Sequence, residues 1–298
     1  MVKTTFSDEI AKNKRLSILL AISVSLILFF LIYFMMYFLI PELILIALPI
    51  SAIIIIIYTY SSYRFGDTVV LSATNAKPAD TKEYQYLRDT IEGLSIASGI
   101  STPKAYVIQS EDLNAFATGR NPENASIAVT TGLINTLNRQ ELEGVIGHEI
   151  SHIKNRDILF MTLVAVLVGL AAIISHLIIR SLWFGARQDR RDKNGFMIFL
   201  LIIGVIFAII APIATRLVQY AISRKREYLA DASGVSLTRY PEGLASALEK
   251  IANKNKGRIN VSDAVSHLFF VDPKQTSLDS LFATHPPIKE RIKRLRTM

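Results

Sequence analysis

The sequence predicts an α-helical multi-pass membrane protein that carries a cytoplasmic α+β domain. Three observations carry this. Of the 298 residues, 51% are hydrophobic, and the mean hydropathy is positive. Four long apolar runs account for that excess, each near the ~20 residues a helix needs to cross a bilayer. Between and after these runs lie polar segments which, pooled, suffice for one domain of ordinary size.

The first run is Leu16–Ile40, without a charge, and the second is Leu43–Tyr63, with Pro49 inside it. The first is too long for a signal peptide and lacks a small-residue cleavage site, so it is expected to be an anchor. The third and fourth runs are Ile158–Ile179 and Phe196–Thr215. Lys3, Lys12, Lys14 and Arg15 precede the first run, which favours a cytoplasmic start. The expected organisation is therefore a membrane hairpin over 1–63 and a cytoplasmic segment over 64–157. A second membrane or membrane-embedded hairpin over 158–215 and a cytoplasmic segment over 216–298 follow. The loop Arg180–Gly195 holds five cations, against the usual inside bias. It is either an exception or the tip of a hairpin that does not fully cross, and both options leave the flanking segments on one side.

Within 64–157, Thr81–Ser98 has Tyr84, Leu87, Ile91 and Leu94 at helical spacing. Lys104–Gln109 and Ala125–Thr131 have strand character, separated by the turn residues Asn121-Pro122-Glu123-Asn124. A long helix is expected from about Arg139.

The chain has no cysteine, which excludes disulfides and Cys-ligated metals. The net charge of +8 is read as topology bias and attraction to anionic lipid. No nucleic-acid-binding motif accompanies it.

Residues 147–157 read GHEISHIKNRD, and two of only five histidines stand in this stretch. On a helix, His148 and His152 share a face and can bind one zinc ion, with Glu149 beside them to act as base toward the attacking water. The same motif could arise by chance on an amphipathic helix. Val145, Ile146, Ile150 and Ile153 favour a helix buried beside a core. A catalytic zinc needs a third protein ligand. Glu227 and Asp231, four apart after the fourth run, are the candidates. Spacing alone allows either, the other then accepting a hydrogen bond from a ligand imidazole. The plain alternative is an exposed acidic pair balancing Arg224, Lys225 and Arg226.

The motifs NAFATG (114–119), AVTTGL (128–133), HEISH (148–152), SRKREYLAD (223–231) and THPPIKERI (284–292) occur in this order. Together they resemble the M48 family of membrane metalloproteases over nearly the whole chain. The resemblance implies a zincin-type metalloprotease domain, one zinc ion per chain, and polypeptide substrates, expected to be damaged or misfolded membrane proteins, cleaved on the cytoplasmic side of the cell membrane. It selects Glu227 as the third ligand and Asp231 as the acid bonded to His148. It makes His285 a donor to the oxyanion, and Arg291 an anchor for the C-terminal helix or an aid to His285. It also implies that Ala125–Thr131, with Ala128 and Val129, is an edge strand able to pair with an extended substrate, the plain alternative being an ordinary internal strand. Asn114 and Ala115 are expected beside the cleft, and Arg291 is grouped with these substrate-contacting positions. His176 and His267 match no family motif. The rival readings are a site-specific processing protease of lipidated peptides and a membrane scaffold with a chance HExxH.

Overall fold

The structure is a computed structural model. It describes scattered residues between 15 and 42, then residues 44–166, 224–255, 263–266, 268–271 and 286–298. The fourth apolar run, most of the third, and His176, His267 and His285 lie outside the described residues.

The second apolar run forms helix α1, Ile44–Ala73. It is the one helix among the described residues that is long and apolar enough to cross a membrane. Leu45, Ile56 and Ile57 are exposed, whereas Val70 and Leu71 are buried. The helix does not end near Tyr63 as the apolar run suggests. Arg64 and Asp67 are tolerated in its middle, and it stops only where Asn75 adopts φ 53°. The 63/64 boundary therefore falls inside a helix whose last turns belong to the folded domain.

A four-stranded sheet follows, in the order β1-β2-β4-β3. Strand β1 is Lys77–Pro78, β2 is Lys104–Ile108, β3 is Ala115–Gly119 and β4 is Ala125–Thr130. Strand β4 runs parallel to β2 and antiparallel to β3. The expectation that 125–131 is an edge strand is overturned, because β4 is internal and β3 is the edge. The cause is pairing along both sides, with β2 and with β3, and both faces are buried as well. Ala125, Ile127 and Val129 join one core cluster, and Ala128 joins a second with Phe116 and Phe160.

Helix α2, Gln85–Ser98, follows a single 3-10 turn and ends at Gly99 with φ 74°. A short helix α3, Thr131–Thr136, leads into α4, Arg139–Lys154. The start of α4 is fixed by a capping box, in which the Asn138 side chain accepts from Glu141 N–H and the Glu141 carboxylate accepts from Asn138 N–H. Val145, Ile146, Ile150 and Ile153 are fully buried, which seats α4 in the core. Helix α5, Asp157–Val166, opens the third apolar run. After the undescribed stretch come α6, Arg224–Thr238, α7, Pro241–Lys254, the single turn α8, Asp263–Ser266, and α9, Ile288–Leu295.

Candidate metal centre

Helix α4 crosses α6 with their backbones nearly touching. A Cβ on Gly234 would stand 2.8 Å from the backbone nitrogen of His148, so only glycine permits this approach. The crossing brings the first turn of α6 over the two imidazoles. Nε2 of His148 lies 3.1 Å from Nε2 of His152. The two carboxylate oxygens of Glu227 lie 3.7 Å and 3.6 Å from these nitrogens. All three residues are buried, and they form a group able to hold a metal ion. Zinc bonds of ~2.0–2.1 Å in tetrahedral arrangement place neighbouring ligand atoms ~3.4 Å apart. The donor set and its spacing fit zinc.

Each imidazole has a carboxylate behind it. Nδ1 of His148 lies 2.9 Å from Oδ1 of Asp231, and Nδ1 of His152 lies 2.9 Å from Oδ2 of Asp157. Such bonds fix the tautomer that leaves Nε2 for a metal. Burial pushes His148 down to about 4 despite its bond to Asp231. For His152 burial works the same way. The hydrogen bond to Asp157 and the charge of Glu227 outweigh it and hold the imidazole at about 9. Asp231 is held below the usual carboxylate range. Burial opposes this, and Arg291 and His148 overcome it.

Glu149 is buried beside the pair, and burial raises its carboxyl to about 7. The backbone N–H of Ala117 donates to it, so the edge strand β3 passes directly over the candidate base.

The substrate-contacting positions expected from the sequence fare differently. Ala128 and Val129 sit in the internal strand β4, paired on both sides, and cannot receive a peptide by strand addition. Asn114 is fully buried. Its Nδ2 donates to Val271 O, and its Oδ1 accepts from Val271 N–H. Ala115 O accepts from Phe270 N–H. Both residues thus hold the 268–271 segment against the start of β3. Arg291 is 1% exposed. Its Nη2 and Nε donate to the two oxygens of Asp231 at 2.6 Å and 2.9 Å, and its guanidinium lies 4.6 Å from the ring of Phe270. It anchors the C-terminal helix to the centre, and its buried guanidinium is not presented to a substrate. Nothing in the local sequence marks Asp157 or Ala117 as part of the centre.

With this geometry in view, comparison with known proteins is decisive. Residues 81–298 match the model of peptidase family M48. The chain belongs to peptidase family M48. A protein named Protease HtpX homolog from Thermoanaerobacter pseudethanolicus is 46% identical over 300 residues, covering 100% of this chain and 99% of the relative. One of the same name from Streptococcus uberis is 41% identical over 295 residues, covering 98% and 99%. Among solved structures, the crystal structure of S. mikatae Ste24p superposes with a TM-score of 0.50 at 18% identity, covering 96% of this chain and 66% of that one. This likeness concerns the fold alone. The resemblance drawn from the five motifs is borne out. The M48 chain is a membrane-associated zinc metalloprotease that hydrolyses polypeptides.

Proposed function

We propose that His148, His152 and Glu227 hold one zinc ion and that Glu149 is the general base of an endopeptidase acting on membrane proteins from the cytoplasmic face. The observation that carries this reading is the convergence of three buried ligand atoms, from two distant chain segments, beside a carboxyl raised to about 7. Zinc bound there would polarise the scissile carbonyl and activate water. Glu149 takes the proton of the attacking water and passes it to the leaving amine. Asp231 and Asp157 hold the imidazoles in register. His285 is assigned the oxyanion donor on the family resemblance. Its neighbours Pro286 and Pro287 lead directly into α9, which Arg291 ties to the centre.

The multi-pass arrangement and the quality-control role belong to the same proposal. The arrangement is supported by the four apolar runs, by the exposed apolar face of α1, and by the need for segments on both sides of 158–223 to meet at one ion, and the role is drawn from the family resemblance. The four-part division at 63, 157 and 215 is retained as a description of membrane and cytoplasmic stretches, with the second apolar helix running on to Ala73.

The deciding experiment is Glu149→Gln in the full, detergent-solubilised chain. We expect about one zinc per chain and almost no cleavage of casein or a membrane substrate. Full activity in that variant refutes the base assignment. Cysteines introduced at Ser110 and Ser233 should both be labelled only from the cytoplasmic side, and labelling from opposite sides excludes the orientation.

A further inference from the structure

Asp157 is fully buried, and its two oxygens face different parts of the metal centre. Oδ2 lies 2.9 Å from Nδ1 of His152. Oδ1 lies 3.1 Å from Nε of Arg226, the residue immediately before Glu227. The Arg226 guanidinium also lies 5.6 Å from the ring of Phe160, one turn into α5. One carboxylate therefore touches a candidate ligand on α4 and the first turn of the helix that supplies the third ligand. Helix α5 starts at Asp157 and α6 starts at Arg224. The Asp157–Arg226 pair thus joins the start of α5 to the start of α6.

A continuous helix would not produce this contact. Five positions along an α-helix turn the side chain ~140° away from its starting face. The chain is instead broken between α4 and α5. Asn155 is the C-cap of α4, and Arg156 adopts φ 58°, a left-handed conformation that is uncommon for a residue with a Cβ. That reversal returns Asp157 to the ring of His152. A local backbone cost retained beside a metal centre points to a positioning role.

We propose that Asp157 is a positioning residue of the metal centre with two simultaneous tasks. It holds the Nδ1–H of His152 so that Nε2 faces the ion, and through Arg226 it sets the first turn of α6 so that Glu227 is aimed at the same point. The proposal rests on the metalloprotease reading above. It adds that the affinity of the site depends on a clamp between the start of α5 and the start of α6.

The test is zinc affinity of the metal-stripped full chain, by chelator competition, for wild type, Asp157→Asn, Asp157→Ala, Asp157→Glu, Arg226→Gln and the double variant Asp157→Asn/Arg226→Gln. Loss of such an outer partner typically costs ~10–100-fold in affinity. We expect Asp157→Ala within that range, Asp157→Asn and Arg226→Gln weakened less, and partial rescue in Asp157→Glu. The double variant should bind zinc no more weakly than Asp157→Asn alone, because the arginine acts through the aspartate. Substitution with cobalt should give a visible absorption spectrum altered in Asp157→Asn, a change that a merely structural role would not produce. If Asp157→Ala fails to fold, the near-isosteric Asp157→Asn decides. Wild-type zinc affinity and an unchanged cobalt spectrum in Asp157→Asn overturn the proposal, and so do fully additive effects in the double variant. Failure of the wild type itself to bind zinc counts against the metalloprotease reading instead.

Discussion

Arg291 grips Asp231 with two hydrogen bonds, at 2.6 Å and 2.9 Å, in a site where both side chains are buried. Because Asp231 also bonds His148, the C-terminal helix is linked through a single carboxylate to a metal-facing imidazole. Removing one member of such a pair strands the other charge in a medium that solvates it poorly, at a cost of ~3–5 kcal/mol. Arg291→Met is expected to destabilise the solubilised protein by about that amount, as read from denaturant or thermal melting. Arg291→Lys should rescue little, since an ammonium cannot reproduce the two-pronged contact. A wild-type melting curve for Arg291→Met would show that the pair contributes nothing net.

The roles of Glu227 and Asp231 separate by zinc retention. Glu227 faces both Nε2 atoms, whereas Asp231 meets only the far side of one ring. Glu227→Ala should lose stable zinc and all proteolysis. Asp231→Ala should bind zinc ~10–100-fold more weakly and keep some cleavage. Dialysis against graded chelator, with cleavage rates measured in parallel, ranks them, and the opposite ranking transfers the ligand role to Asp231.

The metal-free protein should lose stability as pH rises from 6.5 to 9. His152, raised to about 9, and Glu149, raised to about 7, keep protons in the fold that the unfolded chain has released above 6.5 and 4.5. Over that window the folded state binds more protons, and stability falls with pH. His148, lowered to about 4, acts only below 6.5 and does not alter the sign. Zinc competes with the proton on His152, so its affinity should rise across the same window. Melting of chelator-treated protein at pH 6.5, 7.5 and 8.5 tests this, and a melting temperature that climbs over that series contradicts it.

Gly234→Ala should act on the site without altering any ligand side chain. The new methyl would meet the His148 backbone at 2.8 Å, where a helix cannot yield locally. A cost of ~1–3 kcal/mol is expected for such overpacking, together with weaker zinc binding because α6 must move off α4. Unchanged zinc affinity would show that the crossing is not what aims Glu227.

Much of this centre is legible in the sequence. Its core lies on one well-capped helix, and the His148, Glu149 and His152 spacing needs only local geometry. Glu227 is legible as one of two acids, but the choice between them requires either the family pattern or the crossing at Gly234. What stays hidden depends on tertiary placement. Strand β4 has strand chemistry, yet nothing in its residues shows that both faces and both sides are covered, so the edge was assigned to it and not to β3. Asp157 stands five positions after His152, a spacing that points away on any unbroken helix. Only the left-handed turn at Arg156 brings it back. For Arg291 the family pattern leaves open an anchor for the C-terminal helix, an aid to His285 or a substrate contact, and its burial against Asp231 depends on a partner sixty positions earlier in the chain.

The metal centre is divided between two stretches of chain, with His148 and His152 before residues 158–223 and Glu227 after them. During synthesis the imidazoles are therefore made first, and they wait for their third ligand until the apolar stretch between has been translated. A half-made chain holds an incomplete donor set for the ion. The order of the sequence thus delays completion of the metal site, and with it proteolysis, until the chain has been made as far as Glu227.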